Sequence, residues 1–98
     1  MRFVWDEEKD RRNRAKHKVS FETAVLVFDD PHAMSIQGRE VECEDRWQTM
    51  GLVGNMVVLL VAHTVHEEGD DEVVRIISAR KATPSERRVY EENRQKHE

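Results

Sequence analysis

The chain has 98 residues, 38% hydrophobic and 37% charged, with a net charge of −4. That length fills one core, so a single domain over residues 1–98 is expected, and its long apolar runs exclude global disorder. The longest such run, Met56 to Val65, is far below the roughly 20 residues that span a bilayer. The N-terminus lacks a signal-peptide core and the lone Cys43 permits no internal disulfide, so cytoplasm is the expected compartment and no membrane partner is expected.

The charge is segregated. Residues 1–20 carry +3, residues 21–74 carry −10 and residues 75–98 carry +3. If the two ends meet in space they form a basic face on an acidic body, suited to an anionic partner, while the acidic middle suits a basic protein. Solvated helix faces account for such runs equally well.

In chain order, Phe3-Val4-Trp5 is a short apolar start, and Asp6 caps a helix over residues 7–17 with acids in its first turn and bases in its last. This helix has almost no apolar stripe, so Trp5 and Val19 are expected to anchor it. Ser20 caps a second helix, in which Phe21, Ala24, Val25 and Phe28 form a core-facing stripe, and Asp29-Asp30-Pro31 stops it.

Four strands are then predicted. His32 to Gln37 is the first, breaking at Gly38, and the charged stretch Arg39–Asp45 reads as a loop. Arg46–Val53 is the second strand, Gly54-Asn55 a hairpin turn, and Met56–Val65 the third, apolar enough for a central position. After the acidic turn Glu67–Asp71 comes the fourth strand, Val73–Lys81. Thr83-Pro84-Ser85-Glu86 then starts a final helix with an N-cap, a proline at the first position and a capping-box glutamate. Val89 and Tyr90 are its apolar anchors. The expected fold class is α+β: two N-terminal helices, a four-stranded antiparallel sheet and a C-terminal helix, with the helices on one face.

The last strand delivers two adjacent cations, Arg80 and Lys81, to a helix N-terminus, an arrangement able to hold an anion. Strand alternation points them in opposite directions, so they share one phosphate only if the strand ends or twists at Ala82. By the same parity Arg75 falls on the face of Lys81, about 20 Å away along the strand.

Several segments taken together resemble the BrnT family of bacterial type II toxins: Phe3-Val4-Trp5-Asp6; Asn13 with Lys16-His17; Val19-Ser20-Phe21-Glu22 with Ala24; Phe28 with Asp30-Pro31; Glu44 with Arg46; His63-Thr64; and Arg75 to Ala82 followed by Glu86-Arg87 and Tyr90. The resemblance covers nearly the whole chain. It implies a RelE-like ribonuclease fold and cleavage of RNA that halts translation, with the ribosome as a candidate site of action. It also implies a BrnA-type antitoxin with a ribbon-helix-helix domain, and operator DNA bound only through that antitoxin. Departures are Thr23, where an acid would complete a second capping box, and the acidic insertion at Glu67–Glu72.

RNA is cut without a metal when its own 2′-OH attacks the next phosphate, provided a proton is removed, phosphate charge is stabilised and the leaving oxygen is protonated. Arg80 and Lys81 suit the phosphate. Glu86 is a base, an orienter of Arg80 or the capping box; Tyr90 is an acid, a base-stacking ring or a core anchor; His63 is a general base or a hydrogen-bonded core residue. Arg46, Lys16 and Arg87 are candidate RNA contacts. Arg46 paired with Glu44, and Lys16 with His17 answering the helix dipole, are the plainer readings. Trp47 reads as core or interface. No cofactor is expected, and no metal site: His63 and His66 lie on opposite sides of a strand and one cysteine supports no zinc cluster. A binding subunit that captures RNA or protein without cutting it, and a structural subunit pairing through a strand edge, are the alternatives.

Overall fold

The computed structural model describes residues 1–41 and 44–96. Its elements are β1 (Arg2–Val4), α1 (Glu7–His17), α2 (Phe21–Ala24), a 3₁₀ segment (Val25–Asp29), β2 (Met34–Val41), β3 (Glu44–Val53), β4 (Val57–Glu68), β5 (Asp71–Lys81) and α3 (Pro84–Lys96). They form an α+β fold whose five-stranded sheet has the order β1-β5-β4-β3-β2.

The predicted four-stranded antiparallel sheet is therefore corrected to a mixed one. β1 pairs in parallel with β5, placing Arg2, Phe3 and Val4 opposite Val73, Val74 and Arg75. Three residues are too few to show a strand period, which is why this segment reads only as an apolar start. The predicted loop at Arg39–Asp45 is also corrected, because the β2–β3 ladder continues through Glu40 opposite Asp45 and Val41 opposite Glu44. Charged side chains suit an edge strand, so charge there does not signal a loop. The tip of that predicted loop, Glu42 and Cys43, lies outside the described residues, as do His97 and Glu98. Gly38 does not end β2 but sits where its register shifts, between Gln37 and Glu40.

α1 forms as its capping pattern requires. The Asp6 carboxylate accepts from the Glu8 and Lys9 N–H groups at 2.8 and 3.3 Å. With no apolar stripe, α1 is held by two buried polar residues. Asp10 accepts from the Phe21 N–H at 2.8 Å. The Asn13 amide donates to the carbonyls of Val19 and Ala79, both at 2.8 Å, and accepts from the Ala79 N–H at 3.1 Å. Its side chain thus pairs with β5 on both the N–H and the C=O of one residue, as a neighbouring strand would.

The second predicted helix is α-helical only through Ala24 and then tightens into the 3₁₀ segment. The change of winding buries Val27 where a regular helix would have presented Val25. Val27 lies directly on Gly51 of β3: a Cβ on Gly51 would meet Val27 Cγ1 and its carbonyl oxygen at 2.8 Å each. Gly51→Ala should therefore cost about 1–3 kcal/mol, an overpacking penalty readable as a lower urea midpoint.

The helices do not share one face. Phe21, Ala24 and Val27 pack with Leu59, Val61, Val74, Ile76 and Ala79 on the first face of the sheet. Complete burial of Phe21 contributes about 1.5–3 kcal/mol to that layer. Tyr90 of α3 packs with Met50, Val58 and Leu60 on the second face. Period-2 alternation in β4 forces this split, since a strand apolar at every position needs a cover on both sides. The Gly54-Asn55 turn has positive φ at both central residues (64° and 56°), as a primed turn requires, with the Met56 N–H donating to the Val53 carbonyl at 3.2 Å; because Val53 pairs with Val57, the connection is a three-residue loop.

The strand parity of β5 is broken once. Ser78 pairs with Ala62 and Ile76 with His63, which leaves Ile77 as an extra residue in a bulge. Beyond the bulge every side chain is shifted by one position in phase.

Candidate active site

The bulge reassigns the cations of β5. Arg80 lies opposite Leu60, and Arg75 opposite Thr64, so both belong to the second face with Arg46, which is also opposite Thr64. Lys81 lies opposite Leu59 on the first face. The expectation that Arg75 shares a face with Lys81 is thus corrected: it shares one with Arg80. Four β4 residues separate the two rows, about 13 Å, too far to grip one phosphate. Arg46 and Arg75 are exposed beside Gln48 and Ser78, forming a polar half of the second face that the α3 packing leaves open. The alternative partner of Arg46, the Glu44 side chain, lies outside the described residues.

Arg80 is fixed by the start of α3. The β5 ladder closes with the Ala82 N–H donating to the Val58 carbonyl at 2.9 Å. The capping box follows: Glu86 N–H donates to Thr83 Oγ1 at 3.2 Å, and Thr83 N–H donates to Glu86 Oε1 at 2.8 Å. The same carboxylate takes a two-pronged bond from Arg80, Nη1 to Oε1 at 2.8 Å and Nη2 to Oε2 at 3.0 Å. Capping box and orienter are therefore one role. Arg80 Nη1 also donates to the Lys81 carbonyl at 3.2 Å. The Arg80 hydrogen bonds leave Nε–H and the outer Nη2–H unused among the described residues, two parallel donors on one edge of a planar group. The Arg80 guanidinium and the Thr83 N–H hold the Glu86 carboxyl well down, at about 2. A carboxylate that acidic is a poor base at neutral pH.

The other predicted residues are outside this hydrogen-bonded pair. His63 is buried on the first face, away from Arg80, with its Nε2 2.7 Å from Thr49 Oγ1 and its ring edge-on to Phe28 at 5.0 Å. Burial pushes its pKa below the ordinary histidine value, against a smaller upward pull from the Thr64 backbone. Tyr90 is fully buried and its hydroxyl donates to Asp30 Oδ2. Burial and the Asp30 carboxylate push it up to about 12, so it is a core anchor and a weak acid. Lys16 is exposed on α1, where with Lys9, Arg12 and His17 it lines a shallow groove against Ile77 and Ser78. Arg87 is exposed on α3. Of the predicted catalytic side chains, hydrogen bonds join Arg80 to Glu86, while Tyr90, one turn along α3 on the same face, is turned to Asp30.

Two residues with no predicted role emerge. Asn13 fixes α1 to β5, and Asp30 joins three elements: its carboxylate accepts from the Leu52 N–H at 2.8 Å, the His32 N–H at 2.9 Å and the Tyr90 hydroxyl. The available signals were an amide inside a helix lacking apolar residues, and an aspartate before a proline.

A guanidinium with a free donor edge at a strand tip, beside a capped helix and a row of exposed arginines, gives this small α+β protein a basic face. The model of the family "Ribonuclease toxin, BrnT, of type II toxin-antitoxin system" matches residues 5–86. The chain belongs to that family, whose type II systems pair a toxin with an antitoxin. The fold is similar to the 1.1 Å crystal structure of the Brucella abortus ribonuclease toxin BrnT, with a TM-score of 0.66 and 24% identity over 85% of this chain and 97% of that one. No curated protein matches. Among the described residues, no helix is long and apolar enough to cross a membrane.

Proposed function

We propose that this protein is an endoribonuclease toxin of the RelE-like kind, cleaving RNA by metal-independent attack of a 2′-OH on the adjacent phosphate. The observation that carries the reading is Arg80, locked by Glu86 with a second pair of donors unengaged. A guanidinium already desolvated on one edge and rigidly held is preorganised for the charge that builds on the phosphate during attack. Arg46 and Arg75, two rows further along the same face, are placed for nucleotides further along the strand. Lys81, on the opposite face, is not part of that grip. A BrnA-type antitoxin with a ribbon-helix-helix domain is the proposed partner, the ribosome a proposed site of action and the cytoplasm the proposed compartment.

One observation favours a second reading, capture of RNA without cleavage. The three predicted proton-transfer groups are each engaged: Glu86 in the fork, Tyr90 with Asp30, and His63 on the far face. Incubating the purified protein with RNA in EDTA separates the two. Fragments ending in 2′,3′-cyclic phosphate, absent when the RNA is 2′-O-methylated, support the enzyme. Intact RNA in a stable complex supports the binder.

A further inference from the structure

α1 turns one side towards the edge of β5, and that side is cationic where a packed helix would be apolar. Lys9, Arg12 and Lys16 fall together by helical periodicity and border a groove of about 270 Å³, whose other wall is Ile77 and Ser78 at the bulge. All three are exposed. Lys9 and Lys16 have no acidic partner among the described residues, and Arg12 has only a 3.8 Å contact with Glu8. Arg11 and Arg14, on the opposite side of α1, are each paired, with Glu8 and Asp10. The helix dipole accounts for Lys16 in the last turn but opposes Lys9 near the start. Like charges three and four positions apart repel as well. Neither helix stability nor ion pairing therefore accounts for this row of charge. A second feature says what it faces. Ser78 lines the groove and also belongs to the row between Arg80 and Arg75 on the second face. Lys9 borders a further cleft together with Arg75. The cations of α1 are thus continuous with those of the sheet.

We propose that this groove holds the phosphodiester backbone of single-stranded RNA, on the flank of the segment gripped at Arg80, with Lys9, Arg12 and Lys16 facing successive phosphates. Lys9 and Lys16 lie about 10 Å apart along the helix axis, so the cations form a track for an extended polyanion and not a pocket for one small anion. Continuity with Arg80 and Arg75 favours RNA over an acidic polypeptide. The proposal rests on the reading of RNA as the ligand of this chain, but not on the cutting step.

The test measures binding of a short fluorescent 2′-O-methylated RNA to the full chain across a range of salt, with circular dichroism as the check on folding. Each phosphate contact to a single strand contributes about 0.7 to the slope of log K against log salt, so Lys9→Gln with Arg12→Gln and Lys16→Gln should lower that slope by about 2 and weaken binding about tenfold near about 0.1 M salt. Lys9→Arg with Lys16→Arg should keep the wild-type slope. Arg11→Gln with Arg14→Gln, which removes charge from the opposite side of α1, should keep it too. With unmethylated RNA at saturating protein, the triple variant should cut at the wild-type rate, the loss being confined to binding. An unchanged slope in the triple variant, a comparable fall in the Arg11 and Arg14 variant, or polyglutamate bound in place of RNA overturns the proposal. A wild type that binds RNA with the expected advantage over the triple variant, yet leaves unmethylated RNA intact, supports the groove and overturns the enzyme reading.

Discussion

Arg80→Ala should lower RNA cleavage by about 10²–10³-fold, the typical cost of losing one preorganised donor group at a developing anion. The substitution removes a side chain that is 36% exposed, so circular dichroism should show the fold retained. Arg80→Lys keeps the charge but loses both the two-pronged bond to Glu86 and the parallel donor edge, and it should recover little. Lys81→Ala should have the smaller effect, because β5 sends Lys81 to the first face. An Arg80→Ala protein that cuts RNA at the wild-type rate would remove the basis of the assignment. The fork should also survive acid well. The Glu86 pKa is lowered to about 2 from 4.5, so its contribution to stability is complete above pH 4.5 and is lost as the pH falls towards 2.

Asp30→Ala should destabilise the fold by about 1–3 kcal/mol, the cost of a buried donor left unsatisfied at Tyr90, with the part-buried Leu52 and His32 N–H groups open to replacement by water. Leu52 N–H, His32 N–H and the hydroxyl of the fully buried Tyr90 all lose their acceptor. Tyr90→Phe leaves one of those bonds unmade without stranding a donor, so it should cost less. The double variant should be less destabilised than the two single costs combined, because both changes remove the same bond. Urea unfolding at neutral pH measures all three, and an Asp30→Ala loss below about 0.5 kcal/mol would show the junction to be energetically idle. Burial alone would raise the Asp30 pKa, but the bonds from Leu52, Tyr90 and His32 outweigh it and hold the carboxyl below its ordinary value. Its stabilisation is therefore present above pH 3.8 and fades as the pH falls below that value.

The elements legible in the sequence were those with a strong local rule. Asp6, Ser20 and the Thr83-Pro84-Ser85-Glu86 run each marked a helix start by side-chain chemistry that needs no distant partner. Gly54-Asn55 marked a hairpin, and the apolar run of β4 its central place. What stayed hidden depends on contacts far along the chain. β1 is a strand only because Val73 to Arg75 lies beside it, 71 positions later in register. The switch to 3₁₀ winding follows from the fit of Val27 on Gly51. The site was legible to the same extent: Arg80 with Glu86 is a local pair across one turn. The face of Arg75, by contrast, was misjudged because no sequence rule announces a bulge at Ile77. His63 and Tyr90 carry chemistry in their residue types, but burial and partners decide its use.

The pairing of Asn13 with Ala79 bears on solubility. A sheet edge with bare N–H and C=O groups is a template for strands of other molecules. On the outer side of β5, β1 covers Val73 to Arg75, the bulge at Ile77 distorts the next step, and the Asn13 amide occupies both backbone groups of Ala79. A helix with almost no apolar surface thus acts as a guard against self-association. At Ala79 that protection rests on one amide, which no measure of hydrophobicity would single out.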